Sequence, residues 1–226
     1  MERIDPAGSG APSPRTRLRR LSERGRHDRA TIEAILDEGF VCHLGFADRR
    51  GPVVIPTAYA RDGDRLYLHG AAGNAALQAL RTGSRVCVTI TLVDGLVLAR
   101  SAFLHSVNYR SVVVFATAVE VTDLEEKRRA LAAIVEHIVP GRGAGTRPPT
   151  ELELQVTRVL RVPIDEASAK VRTGGPKDDP EDLELPVWAG EIPLRLCAGA
   201  PVADPGAPPA AAVPGYATDY RRPGAP

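Results

Sequence analysis

Residues able to hold or transform a small molecule are concentrated ahead of one apolar strand, in the stretch AFLHSVNYRSVVVFATAVEV, residues 102–121. His105 is a proton donor or acceptor near neutral pH, Asn108 both donates and accepts hydrogen bonds, and Arg110 binds anions. Ser111 adds a hydroxyl at the start of the apolar run. Two interpretations stay open: a binding site with His105 as a candidate catalytic group, or a strand end held by an ion pair.

A second candidate site is LHGAAGNAALQAL, residues 68–80. After His69 the strand ends at Gly70 and Ala71, and Gly73 and Asn74 lead into a helix. The free N–H groups of a first helical turn favour phosphate. The alternative is an ordinary strand-to-helix turn with Asn74 as its cap.

The third candidate is the strand GPVVIPTAYA, residues 51–60. Ile55 and Thr57 share one face, while Val54 and Pro56 share the other. A proline inside a strand favours an edge or a bulge, where free backbone groups can hydrogen-bond a heteroaromatic ring. An edge strand without a ligand is the alternative.

Several function classes lack their usual signatures. The histidines at 27, 43, 69, 105 and 137 do not have metal-binding spacing, and no serine lies in a GxSxG turn. The three cysteines form no CxxC pair, which favours a reducing, cytoplasmic location. A net charge of +1 and the lack of a membrane-length apolar run argue against nucleic-acid and membrane binding.

The elements that would position these residues are mostly strands. A short helix ending at Gly39 leads into the strand at 40–47, and Asp62-Gly63 predicts a hairpin. Residues 84–103 suggest two strands broken at Asp94-Gly95, and residues 151–164 alternate as a further strand. Thr122 and Glu125 predict the capping box of a long helix.

The fold class expected from this order is mainly β: an antiparallel β-barrel with peripheral helices. A flexible arm is predicted for residues 1–27 and the folded domain for 28–197. The Pro/Ala-rich segment 198–226 is expected to be disordered because it has too little apolar surface to offset chain entropy.

Over about residues 28–195 the chain resembles the pyridoxamine 5′-phosphate oxidase-like superfamily, the FMN-binding split barrels, and most closely its flavin-nucleotide-binding, nitroimidazole-reductase-related branch. The segments GPVVIPTAYARDGDRLYLHGAAGNAALQAL, VTITLVDGLVLARSAFLHSVNYRSVVVFATAVEV and PVWAGEIPL carry the resemblance. It implies a homodimer with FMN at the subunit interface. Haem and deazaflavin are the alternative cofactors, as in relatives.

The resemblance also implies cofactor-binding residues. The flavin ring would lie along residues 54–57, and the phosphate and ribityl chain would lie near residues 69–71, 73 and 74. Arg110 and Ser111, with Asn108 beside them, would reach the flavin held by the partner chain, and Trp188 would lie near the ring. No metal ligand is predicted.

The expected function is an FMN-dependent reductase of small molecules such as nitro compounds or quinones. A non-enzymatic flavin carrier or sensor is the alternative. Gly73-Asn74-Ala75 replaces the oxidase's Ser-Arg-Lys phosphate clamp, and its C-terminal Arg-x-His element is not evident, so vitamin B6 oxidation is not expected.

Overall fold

The computed structural model describes residues 13–80, 83–206 and 212–222. Ten antiparallel strands form one sheet, and few helices accompany them. The predicted mainly β fold class is therefore confirmed. The strands are β1 (Gly25–Arg26), β2 (Val41–Asp48), β3 (Gly51–Asp62), β4 (Arg65–Ala71), β5 (Arg85–Leu98), β6 (Ser106–Thr117), β7 (Val119–Glu120), β8 (Thr157–Pro163), β9 (Glu166–Arg172) and β10 (Gly190–Pro193).

The sheet curls around one core. Its strand order is β1-β9-β6-β5-β2-β3-β4-β8-β7, and β10 pairs with the second half of β5. Only Ala118 separates β6 from β7 in the chain. The last strand of this order therefore lies close to β6, a strand near its middle. Side chains from neighbouring strands are fully buried inside, among them Leu44, Leu68, Val88 and Val114.

The described residues form five α-helices around the sheet: α1 (Arg29–Glu38), α2 (Ala75–Ala79), α3 (Leu124–Ile138), α4 (Glu151–Val156) and α5 (Gly215–Thr218). Asp28 caps α1 by accepting from the Thr31 amide, and α1 ends at Gly39 as predicted. Ile35 and Leu36 bury α1 against the barrel. The predicted Asp62-Gly63 hairpin joins β3 to β4, with Gly63 at a φ of +60°.

Three local predictions differ from the structure. β5 is one continuous strand, because a bulge between Val93 and Gly95 absorbs the expected break. Asp123, not Thr122, caps α3 by accepting from the Glu126 amide. The segment expected to be a strand from residue 151 begins instead as α4, because Thr150 and Glu153 form a capping box.

A second, smaller core lies between the sheet and α3. Tyr67 of β4 and Val159 of β8 pack there against Ala130 and Ile134 of the helix. Ala60 of β3 belongs to the same cluster, so this packing fixes α3 across β3, β4 and β8. None of the described helices is long and apolar enough to cross a membrane.

Candidate functional site

A cavity of about 1010 Å³ lies beside the second core. His69 of β4, residues of α3 and the loop at 142–149 line it, and we call it the His69 cavity. Its volume is at the upper end of the range usual for ligand pockets, about 300–1,000 Å³. The apolar part of its wall consists of Leu131, Ala132, Ile134, Val135, Pro148 and Pro149.

The position of His69 follows from strand alternation. Tyr67 faces α3, and His69, two residues further along β4, faces the same way. The Nδ1 atom of His69 is buried and has no hydrogen-bond partner among the described residues. Burial also lowers the pKa of His69, so the imidazole is neutral near pH 7. A buried ring nitrogen without a protein partner is uncommon, because most such atoms are hydrogen-bonded to protein or to ordered water.

Four arginines give the His69 cavity a positive wall. Arg128 pairs with Glu151, and Arg147 pairs with Glu153 at 2.6 Å. The hydrogen bond from Arg147 lowers the pKa of Glu153 to about 2. In the described part of the chain, no carboxylate pairs with the other two, Arg129 and Arg142. Their charges are therefore free to bind an anionic ligand group.

The predicted phosphate segment begins at His69 and continues past the end of β4 to Asn74, the cap of α2. The Asn74 side chain accepts hydrogen bonds from the amides of Ala76 and Leu77, at 3.0 and 3.3 Å. A side chain on Gly70 would overlap Leu77, since its Cβ would lie 2.7 Å from a Leu77 methyl group. The glycine therefore has a packing role, and Asn74 already occupies two of the amides expected to bind phosphate.

Residues 54–57, predicted to lie beside the flavin ring, are part of β3 and pair with β2. Val54 is 65% exposed, whereas Ile55 packs against the core. Pro56 is opposite His43, and the Thr57 hydroxyl lies 3.4 Å from the Ala58 carbonyl. The exposed side of this strand is thus available for a ligand or a second chain.

Asn108 and Arg110 in β6 both have partners within the chain. Asn108 accepts from the buried Arg172 and donates to Glu191 of β10 at 2.6 Å. Arg110 donates to Asp94 at 2.8 and 2.9 Å and to both carboxylate oxygens of Glu38. An ion pair of Arg110 was one of the two interpretations of the sequence, although its partners were not identified there. These bonds raise the pKa of Arg110 and join β5, β6 and α1.

The other predicted residues lie near the surface. The ring of His105 is exposed, with Nδ1 3.0 Å from the Ser101 carbonyl. Ser111 donates weakly to the Lys170 carbonyl, at 3.4 Å. Trp188 is 66% exposed and lies against Gly190 at the start of β10. The described chain brings His69, Gly70 and Asn74 together but does not gather the predicted set into one pocket.

Sequence reasoning missed the arginines of the His69 cavity. Their signal was present: Arg128 and Arg129 are adjacent in a helix, and Arg142 and Arg147 flank the glycine-rich stretch after it. The apolar stripe of α3 was interpreted only as core. Val135 shows the limit of that interpretation, because it lines the cavity.

Residues 28–171 match the family model described as pyridoxamine 5′-phosphate oxidase. The chain belongs to this family. The resemblance noted from the sequence is thereby confirmed, and the fold is that of its split-barrel members. No curated protein sequence matches the chain.

Two solved structures are similar to this chain over nearly its whole length. The flavocytochrome Anf3 from Azotobacter vinelandii is 39% identical with a TM-score of 0.88, covering 93% of this chain and 98% of its own. The FAD and heme binding protein from Mycobacterium smegmatis is 32% identical with a TM-score of 0.85, covering 90% and 100%. The cofactors expected from the sequence, a flavin with haem as an alternative, agree with the cofactors in the names of these neighbours.

A putative 5-nitroimidazole antibiotic resistance protein from Bacteroides thetaiotaomicron is also similar. It is 27% identical with a TM-score of 0.56, covering 65% of this chain and 86% of its own. This agrees with the branch of the family that the sequence resembles.

Proposed function

We propose that this protein is a flavin-binding redox protein that also holds a haem in the His69 cavity. The flavin is supported by the family and by the names of two neighbours that each cover at least 90% of this chain. FMN is the flavin implied by the sequence resemblance, and FAD is its alternative. A bound flavin supplies electron transfer to or from a small molecule, while the protein binds and orients the two partners.

The observation that carries the proposal is the His69 imidazole, which burial favours in its neutral form, in the wall of a large, partly apolar cavity. A neutral imidazole is a common axial ligand of haem iron. The residues around it fit the rest of such a group. Leu131 and Val135 suit the apolar macrocycle, and the uncompensated charges of Arg129 and Arg142 suit its two carboxylates.

We further propose that the flavin lies where two copies of the chain meet. Val54, Phe103 and Trp188 expose 65%, 91% and 66% of their surface in the single chain. Covering such side chains with a second chain removes apolar surface from water, which favours association. A second copy is the natural occupant because closed twofold dimers are the commonest soluble assemblies. The flavin contacts expected of residues 54–57 and of Trp188 would then be completed by the partner.

The substrate class proposed is small oxidants such as nitro compounds or quinones. His105, exposed at the start of β6, is the proposed proton-transfer group. A carrier or sensor role is distinguished by turnover, since a carrier should transfer electrons no faster than free flavin.

Titration of the purified protein with hemin tests the cavity assignment. We expect saturable one-to-one binding with a haem Soret band, and loss of that binding in His69→Ala. His105→Ala is the matched control, because it removes an exposed imidazole from another strand. An unchanged circular dichroism spectrum would show that His69→Ala is folded. Wild-type protein that does not bind hemin, or a His69→Ala variant that binds it equally well, would refute the haem assignment.

A further inference from the structure

The C-terminal segment, residues 212–222, packs on the ends of two helices, and we call it the C-terminal clasp. The Tyr220 hydroxyl donates to the Ile138 carbonyl at the end of α3, at 2.8 Å. The Nε of Arg222 donates to the Glu38 carbonyl at the end of α1, at 2.7 Å. The Arg222 guanidinium also lies over the Phe40 ring, 5.6 Å from its centroid. Polar side chains thus fix a segment that has little apolar surface.

The loop after α3 separates the clasp from the His69 cavity. Gly141, with a φ of +86°, turns the chain back after the helix. The Glu136 carboxylate accepts from the amides of Gly141 and Gly143, at 2.7 and 2.5 Å. Arg142, Gly143 and Gly145 then line the cavity. The loop is therefore held at its start by α3.

Tyr216 of α5 holds the same loop from the side of the clasp. Its hydroxyl accepts a hydrogen bond from Arg142, and the Arg142 guanidinium lies 5.5 Å from the centroid of its ring. A Cβ atom on Gly145 would lie only 3.4 Å from the Tyr216 hydroxyl, so the two segments are in close contact. Tyr216 itself is not part of the cavity lining.

We propose that the C-terminal clasp positions Arg142 for ligand binding in the His69 cavity, with Tyr216 as the positioning residue. This proposal rests on the proposed haem function for its ligand. A phenol hydroxyl orients the guanidinium without neutralising it, so the charge stays available for a carboxylate of the bound group. An arginine on a glycine-rich loop would otherwise lose side-chain entropy when the ligand binds. The clasp restricts the Arg142 side chain before the ligand binds, so less entropy is lost on binding. The bound state is therefore more stable and ligand release is slower.

Two measurements on the full chain test the proposal. The first is hydrogen exchange of residues 139–149 in protein without added hemin, for wild type, Tyr216→Ala and Arg221→Ala. Arg221 is an exposed residue of the clasp and serves as the control. We expect Tyr216→Ala alone to speed exchange in this loop. Equal exchange in all three proteins would overturn the clasp as a support of the loop.

The second measurement is the rate of hemin release in wild type, Tyr216→Phe, Arg142→Ala and the double variant. We expect each single variant to release hemin about tenfold faster, the effect of losing one charged hydrogen bond. The double variant should be no faster than Arg142→Ala, because Tyr216 acts through Arg142. Unchanged release in Tyr216→Phe, or additive effects in the double variant, would overturn the positioning role.

The results distinguish a failure of the haem proposal from a failure of the clasp proposal. If wild-type protein does not bind hemin, the proposed haem function is wrong, whereas the hydrogen-exchange result still decides whether Tyr216 orders the cavity loop. If hemin binds and His69→Ala abolishes binding but Tyr216→Phe has no effect, the function stands and the clasp proposal is wrong.

Discussion

Arg110 of β6 donates to both carboxylate oxygens of Glu38, the last residue of α1. Glu38 is buried, and Asp94 accepts the remaining hydrogen bonds of the same guanidinium. This cluster ties α1 to the barrel at the bulge in β5. The flavin contact expected of Arg110 stays a prediction, and the guanidinium would have to exchange these partners to make it.

Arg110→Ala should lower the free energy of unfolding by about 3 kcal/mol, because it leaves the buried Glu38 carboxylate without its main partner. Urea denaturation measures this loss. The control is Arg50→Ala, which removes a highly exposed pair with Asp48 and should cost less than about 1 kcal/mol. Similar losses in the two variants would contradict the structural role of Arg110.

Asn74→Ala should cost about 1 kcal/mol of stability through the loss of the α2 cap. Asn74→Ser, which keeps a capping oxygen, should cost less. Flavin affinity, measured by fluorescence titration, should fall by no more than about tenfold in Asn74→Ala if capping is the main role. A much larger fall would instead support the predicted direct phosphate contact.

Stability should decrease as the pH falls below about 6.5, the pKa of a histidine in the unfolded chain. Burial lowers the pKa of both His69 and His137 in the folded protein, although the Gly39 carbonyl, 2.6 Å from His137, opposes this. Below pH 6.5 the unfolded chain therefore takes up protons that the folded chain resists, and the loss continues down to the folded pKa values.

Urea midpoints of cofactor-free protein at pH 7.5 and 5.5 measure this dependence. His69→Ala should reduce the difference between the two midpoints, because one of the two buried imidazoles is gone. An unchanged difference would mean that His69 does not titrate abnormally.

Dimer formation can be followed with the single tryptophan, Trp188. Sedimentation equilibrium should give twice the chain mass of 24.1 kDa, and the Trp188 emission should shift to longer wavelength on dilution as the interface opens. Phe103→Ser should weaken the association, whereas Arg50→Ser should leave it unchanged. A mass of one chain at micromolar concentration would contradict the shared flavin site.

Local signals in the sequence were enough for much of the fold. Asp62-Gly63 predicted the hairpin, and Gly39 marked the end of α1, because turn and cap preferences act within a few residues. The start of α4 was missed, since the alternation of ELELQV suggested a strand while the Thr150 cap favoured a helix.

The His69 cavity was beyond local reasoning for a different reason. Arg128 and Arg129 are on a helix, Arg142 and Arg147 are in a loop, and His69 is on a strand. Only the packing of α3 over β3, β4 and β8 brings them together. Periodicity marks the apolar side of α3, but it does not show that part of that side, at Val135, faces a cavity.

Identification of the bound cofactors tests the proposed function most directly. The measurement is the visible spectrum of the purified protein, followed by mass analysis of what it releases on denaturation. We predict an intense violet haem band, the weaker near-ultraviolet and blue bands of a flavin, and release of both groups. A colourless protein that binds neither added flavin nor added hemin would contradict the proposal.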